Sequence, residues 1–174
     1  MNIVIFGHTG QIGGEIRSLL KAILPDIDVT NANELIEFLH QTKPDIIINA
    51  AAYTNVDAAE KNRDLAFLTN ATAPRIMAKA AKDSGALLIH FSTDYVFDGT
   101  GDTPWMEDSP LSPLNVYGAS KAEGDEAIIQ SGCRHLIIRT SWIYSVAGEN
   151  FIKTILRLAQ KQNELRVVSD QIGA

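Results

Sequence analysis

Hydrophobic positions along the chain fall into two alternating patterns. Continuous apolar runs at residues 45–51, 87–92 and 136–140 read as strands covered on both faces, and the β-branched run 2–6 reads as the strand that opens the chain. Between them, apolar residues recur at helical spacing. Ile12, Ile16, Leu19 and Leu20 mark a helix over 11–20, and Ala32, Leu35, Ile36 and Leu39 mark a second one. Asn31, with Glu34 three residues on, predicts the cap of that second helix, which ends as Pro44 approaches. Further helices are predicted over 64–83, where Pro74 marks a kink or restart, over 116–130, and over 151–160 behind a cap at Asn150. A last short strand is predicted at 165–168.

Parallel strands need crossover connections, so this alternation predicts an α/β fold: an open, doubly wound parallel sheet of Rossmann-like type. The whole of 1–174 reads as one dinucleotide-binding domain. One long irregular loop, 97–113, carries three Pro and two Gly among acidic residues and is expected to border a ligand.

The first strand runs into Gly7-His8-Thr9-Gly10-Gln11-Ile12-Gly13, with glycines three apart at the mouth of the first helix. A tight strand-to-helix turn needs backbone freedom, close approach of a pyrophosphate tolerates no side chain, and free amides at a helix start favour negative charge. Gly7, Thr9, Gly10, Gln11, Ile12 and Gly13 are therefore candidate coenzyme contacts. Asn49, Ala50, Ala51 and Ala52 add small residues at a later strand end, where a dinucleotide lies flat. The choice between NADPH and NADH stays open. Only residues 14–44 remain for the first helix, second strand and second helix, so that strand shrinks to 21–24 or 27–29, with Asp26 and Asp28 as its acidic candidates.

Tyr117 and Lys121 stand four apart in a helical segment and share one face. A phenol is a poor proton shuttle near neutrality, and a fixed ammonium beside it is expected to lower its pKa. That spacing is common by chance; its weight comes from Ser92 and Thr93, at the carboxyl end of a central strand where open parallel sheets bind ligands. His90 reads as a residue that only fills a strand position. No G-x-S-x-G elbow accompanies Ser92 or Ser120, which argues against a serine hydrolase.

Composition removes other classes. A net charge of −6 gives no general attraction to nucleic acid or to anionic lipid, so a phosphorylated ligand needs a local site. No apolar run approaches the roughly 18 residues of a membrane span, and a cytoplasmic protein is expected. Cys133 stands alone, so neither a disulfide framework nor a metal site is predicted.

Six segments then carry a resemblance along nearly the whole chain: FGHTGQIG at 6–13, PDIIINAAAYTNVD at 44–57, STDYVFDG at 92–99, PLNVYGASK at 113–121, RTSWIY at 139–144 and DQIGA at 170–174. The chain resembles the extended short-chain dehydrogenases/reductases and, within them, the dTDP-4-dehydrorhamnose reductases. The resemblance implies NAD(P)H-dependent reduction of the C4 ketone of a nucleotide sugar, with Thr93, Tyr117 and Lys121 as the catalytic set. It also implies Ala50–Ala52 beside the coenzyme, with Tyr117 and Lys121 contacting it, and Thr54, Val56, Thr93 and Trp142 beside the sugar. Relatives that dehydrate nucleotide sugars carry Asp-Glu after the threonine; Asp94-Tyr95 here lacks the glutamate, which favours reduction. Family members continue for on the order of 100 residues past DQIGA and build most of the substrate pocket there. A homodimer is compatible with this reading. The rival reading is a non-catalytic subunit like the regulatory subunit of methionine adenosyltransferase, which keeps the coenzyme fold without turnover.

Overall fold

The computed structural model describes residues 1–146 and 148–170. The predicted apolar runs pair as β1 (Ile3–Phe6), β2 (Ile46–Asn49), β3 (Leu87–Thr93) and β4 (Arg134–Thr140), all parallel, in the order β1-β2-β3-β4. On the far side of β1 the expected second strand is reduced to one bridge. Ile23 alone pairs with Val4, its N–H donating to the Ile3 carbonyl while its own carbonyl accepts from Ile5. The chain thus leaves β1 in one direction and returns past it to β2. Strand order reverses between β1 and β2, and at that reversal an open α/β sheet leaves a crevice at its carboxyl edge.

Helices pack on both faces. α1 (Gln11–Leu19) sits on the face of Ile3, Ile5 and Ile48, which gather Ile16, Ile89 and Phe91. The opposite face of Val4, Phe6, Ile47 and Leu88 is covered by Leu35 and Leu39 of α2 (Ala32–Thr42), by Met77, Ala78 and Ala81 of α5 (Ala73–Ser84), and by Ile128 of α6 (Val116–Ser131). α2 starts as expected, with the Asn31 side chain accepting from the Glu34 amide, and ends at Lys43 in the left-handed conformation before Pro44.

The predicted helix 64–83 is three pieces: α4 (Arg63–Phe67), a π-helical turn (Leu68–Thr72) and α5, which restarts with Pro74 in its first turn, where a missing N–H costs nothing. A short α3 (Val56–Ala59) precedes them.

Two strand expectations are corrected. β4 is the edge of the described sheet rather than a central strand; none of its positions is fully buried, and Leu136 is half exposed. An apolar run alone does not reveal whether a second neighbour exists. Residues 165–168 form no strand, since no neighbouring strand among the described residues offers them a ladder and Val167 and Val168 are exposed. α7 (Phe151–Ala159) begins at Asn150 as expected, its side chain accepting from the Lys153 amide, but buries none of its residues. Of the DQIGA segment, residues 171–174 lie outside the described residues.

Candidate active site

The carboxyl rim of the sheet is stepped. Asn49, the last residue of β2, pairs with His90, whereas β3 and β4 continue three residues further to the pair Thr93 and Thr140, a step of about 10 Å at the usual rise per residue. The glycine turn and residues 50–52 form the floor of this step. Thr93 and the start of α6 form its wall.

On the floor, Gly7 has φ +72°, and a Cβ there would stand 2.4 Å from the Ala51 amide nitrogen. A Cβ on Gly13 would stand 2.2 Å from the Gly7 carbonyl oxygen. Strand end, turn and helix start are therefore packed backbone against backbone. Gly10 caps α1 without a side chain to occupy the first amides of the helix. Thr9 and Gly10 are exposed, Ile12 is half-buried, and Ala50, Ala51 and Ala52 are partly accessible. This side-chain-free cradle with free amides fits the pyrophosphate of a dinucleotide. Gln11 is turned elsewhere: its Nε2 donates to the Glu149 carbonyl at 2.9 Å, and its Oε1 is buried with no partner among the described residues. Near the bridging Ile23, Asp28 accepts from the amide and hydroxyl of Thr30 at 2.9 and 2.7 Å, which lowers its pKa; it is engaged in the turn before α2.

The wall is built by close approach of α6 to the turn after β3. A Cβ on Gly118 would stand 2.2 Å from the Tyr95 carbonyl oxygen, so only glycine lets the helix reach this turn. Asn115 caps α6 by accepting from the Gly118 amide at 2.7 Å, and Glu60 accepts from the Val116 amide at 2.9 Å. Tyr117 is thereby set facing Thr93, close enough for the threonine hydroxyl to influence its ionisation. Thr93 also accepts from the Tyr95 amide at 3.2 Å and donates to Asp94 at 3.1 Å. The Tyr117 ring meets Tyr95 edge-to-face at 5.5 Å and packs with Val56, Ala59 and Ala66. Replacing Gly118 by Ala is expected to destabilise the fold by roughly 1–3 kcal/mol through overpacking. The shift should also part Tyr117 from Thr93, so melting temperature and turnover should fall together.

Burial raises the Tyr117 pKa above its ordinary value, against a lowering by the neighbouring Thr93 hydroxyl. The expected lowering by Lys121 is therefore not what governs the phenol here. Lys121 is fully buried and points inward. Its Nζ donates to the Phe91 carbonyl at 2.6 Å and lies 3.1 Å from His90 Nε2, and burial brings its pKa down to about 8.

Of the other candidates, Val56 lines the tyrosine cluster and Thr54 is exposed in the loop before α3. Trp142 is 60% exposed, two residues past Thr140 at the same rim, in the left-handed conformation at φ +50°. Asn49 is buried and turned into the protein, donating from Nδ2 to His90 Nδ1 at 3.0 Å and accepting from the Ala51 amide at 3.1 Å. Loop 97–113 links Thr93's turn to α6. It is fastened by a Phe97–Trp105 stack at 4.6 Å and by Arg139 donating to the Glu107 carbonyl at 3.0 Å.

Sequence reasoning missed four buried polar residues. His90 is a hub between Asn49 and Lys121 rather than a filler. Asp125 accepts from Ser92 at 2.8 Å and pairs with Arg139 at 3.2 Å. Asn70, on the π-helical turn, accepts from the Tyr53 amide at 2.8 Å and donates to the Tyr53 carbonyl and the Ser120 hydroxyl at 3.1 and 2.9 Å. Ser120 in turn donates to the Tyr117 carbonyl at 2.7 Å. The available signal was a polar residue on an otherwise apolar strand or helix face. A groove of about 680 Å³ lies at the opposite end of the strands, lined by Leu39, Lys43, Asp45 and Lys79, so cavity size does not mark this site.

Comparison with known proteins shows the family and the fold. Residues 1–174 match the family described as RmlD substrate binding domain. The dTDP-4-dehydrorhamnose reductase of Shigella flexneri is 47% identical over 185 residues, covering 100% of this chain and 62% of that protein. The crystal structure of a dTDP-4-dehydrorhamnose reductase from Clostridium acetobutylicum superposes with a TM-score of 0.93 at 39% identity, covering 98% of this chain and 64% of that one. That of the Bacillus anthracis reductase in complex with NADP gives 0.92 at 39% identity, with the same coverage. The chain thus spans less than two thirds of the length of the relatives it matches.

Proposed function

Since the chain belongs to the RmlD substrate binding domain family, we propose that it is the coenzyme-binding, proton-donating part of a dTDP-4-dehydrorhamnose reductase. The reaction is NAD(P)H-dependent reduction of the C4 ketone of dTDP-4-dehydro-L-rhamnose to dTDP-L-rhamnose. The observation that carries it is the placing of Tyr117 beside Thr93, by the close approach of Gly118 to the Tyr95 carbonyl, on the wall of a step whose floor is the glycine cradle.

When bound, the nicotinamide coenzyme supplies the hydride. Gly7, Gly10 and Gly13 let the backbone approach the pyrophosphate, and the first amides of α1 face its charge. Asn49 holds the strand end in place while Ala50–Ala52 present a flat surface to the dinucleotide. Tyr117 donates its phenolic proton to the ketone oxygen, which ends as a hydroxyl. Thr93 hydrogen-bonds the same oxygen. Val56 and Trp142 flank the sugar, and Thr54 offers it a hydroxyl. Reduction needs one hydride and one proton, and Asp94-Tyr95 offers no second acid/base pair for dehydration.

The test is oxidation of NADPH and of NADH with the dTDP-ketosugar, by this chain and by this chain joined to the segment that follows in longer relatives. Turnover by either supports the reductase. Coenzyme binding without turnover in both supports the non-catalytic subunit instead. Gly7→Ala separates the cradle from the wall: the left-handed φ and the 2.4 Å clash with Ala51 should cost roughly 1–3 kcal/mol of stability. Coenzyme affinity, read by nucleotide fluorescence, should fall by about tenfold or more, equivalent to roughly 1.4 kcal/mol.

A further inference from the structure

Hydrogen-bond parity places the proton on His90. The Ala51 amide donates to Asn49 Oδ1, which fixes the orientation of the Asn49 amide, so Nδ2 is the group facing His90 Nδ1 and donates to it. A ring nitrogen that accepts carries no proton. Burial, the largest cause, pushes the His90 pKa well below its ordinary value and keeps the ring neutral, so its single proton sits on Nε2. That N–H faces Lys121 Nζ at 3.1 Å. An ammonium has three N–H groups and no lone pair, and two donors cannot share that contact.

Charge balance agrees. Asp125 is the carboxylate of the buried cluster, and Arg139 already pairs with it at 3.2 Å. Burying an ammonium as well would leave a second cation without a counter-charge of its own. One atom nearby has no hydrogen-bond partner among the described residues: Asp125 Oδ1 is buried, 3.7 Å from His90 Nε2.

We propose that His90 is a positioning residue whose Nε2–H serves two acceptors: Lys121 Nζ when the lysine is an unprotonated amine, and Asp125 Oδ1 when it is an ammonium. When Lys121 takes a proton from solvent, the same N–H turns to Asp125 Oδ1. His90 keeps its proton throughout, and what changes is the acceptor it serves. The charged or titratable groups around this contact are Asp125 and Tyr117 on α6, Arg139 on β4 and Asp94 on the turn after β3. The lysine's depressed pKa fits: burial lowers it and Asp125 opposes. The functional meaning, a lysine whose charge is coupled to the acceptor that His90 serves, rests on the reductase reading. The proton positions do not.

Nitrogen-15 NMR of the free protein tests this directly. Among the four histidines, the resonance that vanishes in His90→Gln identifies His90. It is expected as the Nε2–H tautomer across the neutral range, with Lys121 titrating near 8. An Nδ1–H tautomer, or Lys121 titrating near the ordinary value of about 10.4, overturns the proposal. In His90→Gln the side-chain oxygen can accept from an ammonium, so the Lys121 midpoint should rise by about one pH unit or more; no rise also overturns it. If His90→Gln does not fold, the wild-type tautomer, assigned from backbone-linked spectra, decides alone. Absence of ketosugar reduction would remove the reductase while leaving these proton positions standing.

Discussion

Tyr117→Phe is expected to leave the fold and coenzyme binding in place and to lower turnover by roughly 10²–10⁴-fold, the usual worth of a positioned general acid. The ring stays useful without its hydroxyl: it packs edge-to-face with Tyr95 and among Val56, Ala59 and Ala66, and Phe retains all of that surface. Loss of the hydroxyl strands no buried partner, because Thr93 keeps its bonds to Asp94 and to the Tyr95 amide. Melting temperature should therefore hold steady. The direction of the pKa shift supports a donor: burial raises the phenol above its ordinary 10.0, so it carries its proton at any neutral pH and can deliver it to a ketone oxygen. NAD(P)H oxidation with the dTDP-ketosugar, beside coenzyme titration and a melting curve, checks all three parts. Undiminished turnover would remove Tyr117 from the chemistry.

Much of this framework was legible because strands buried on both faces leave a distinct signature. The runs at β2 and β3, the glycine turn and the caps Asn31 and Asn150 were each predicted from local pattern, and each lies where expected. What the pattern concealed was polar and buried. α6 has nine buried residues out of 16, Ser120, Lys121 and Asp125 among them, so its interior-facing side does not read as apolar. Lys121 drew attention by its spacing from Tyr117, but its inward course to Phe91 and His90 depends on partners 30 or more residues away. The edge position of β4 was equally hidden, since the same apolar letters serve a central strand and a boundary one. The residue count between the first helix and the second compresses the second strand to four residues or fewer, and the single bridge at Ile23 lies within 21–24.

Asn70→Ala should be the most damaging of the substitutions away from the reacting atoms. The π-helical turn inserts one extra residue into the run from α4 to α5 and swings Asn70 into the protein. A Cβ on Gly124 would stand 2.1 Å from the Asn70 carbonyl oxygen, so α6 lies directly on this bulge. The side chain holds both main-chain groups of Tyr53, at the end of the Ala50–Ala52 floor, and holds Ser120, which is bonded to the Tyr117 carbonyl. One amide thus ties the floor of the crevice to the helix that carries its acid. Alanine removes three hydrogen bonds and leaves the Tyr53 amide and carbonyl partly buried without partners, at a cost of about 2–4 kcal/mol. For a chain of this size that is a fall of roughly 5–15 °C in melting temperature. The floor should also loosen against the wall, so coenzyme affinity and kcat/KM should drop more than the melting temperature alone explains, when assayed well below the midpoint. A variant that melts normally and binds coenzyme normally would show that floor and wall are held together by something other than Asn70.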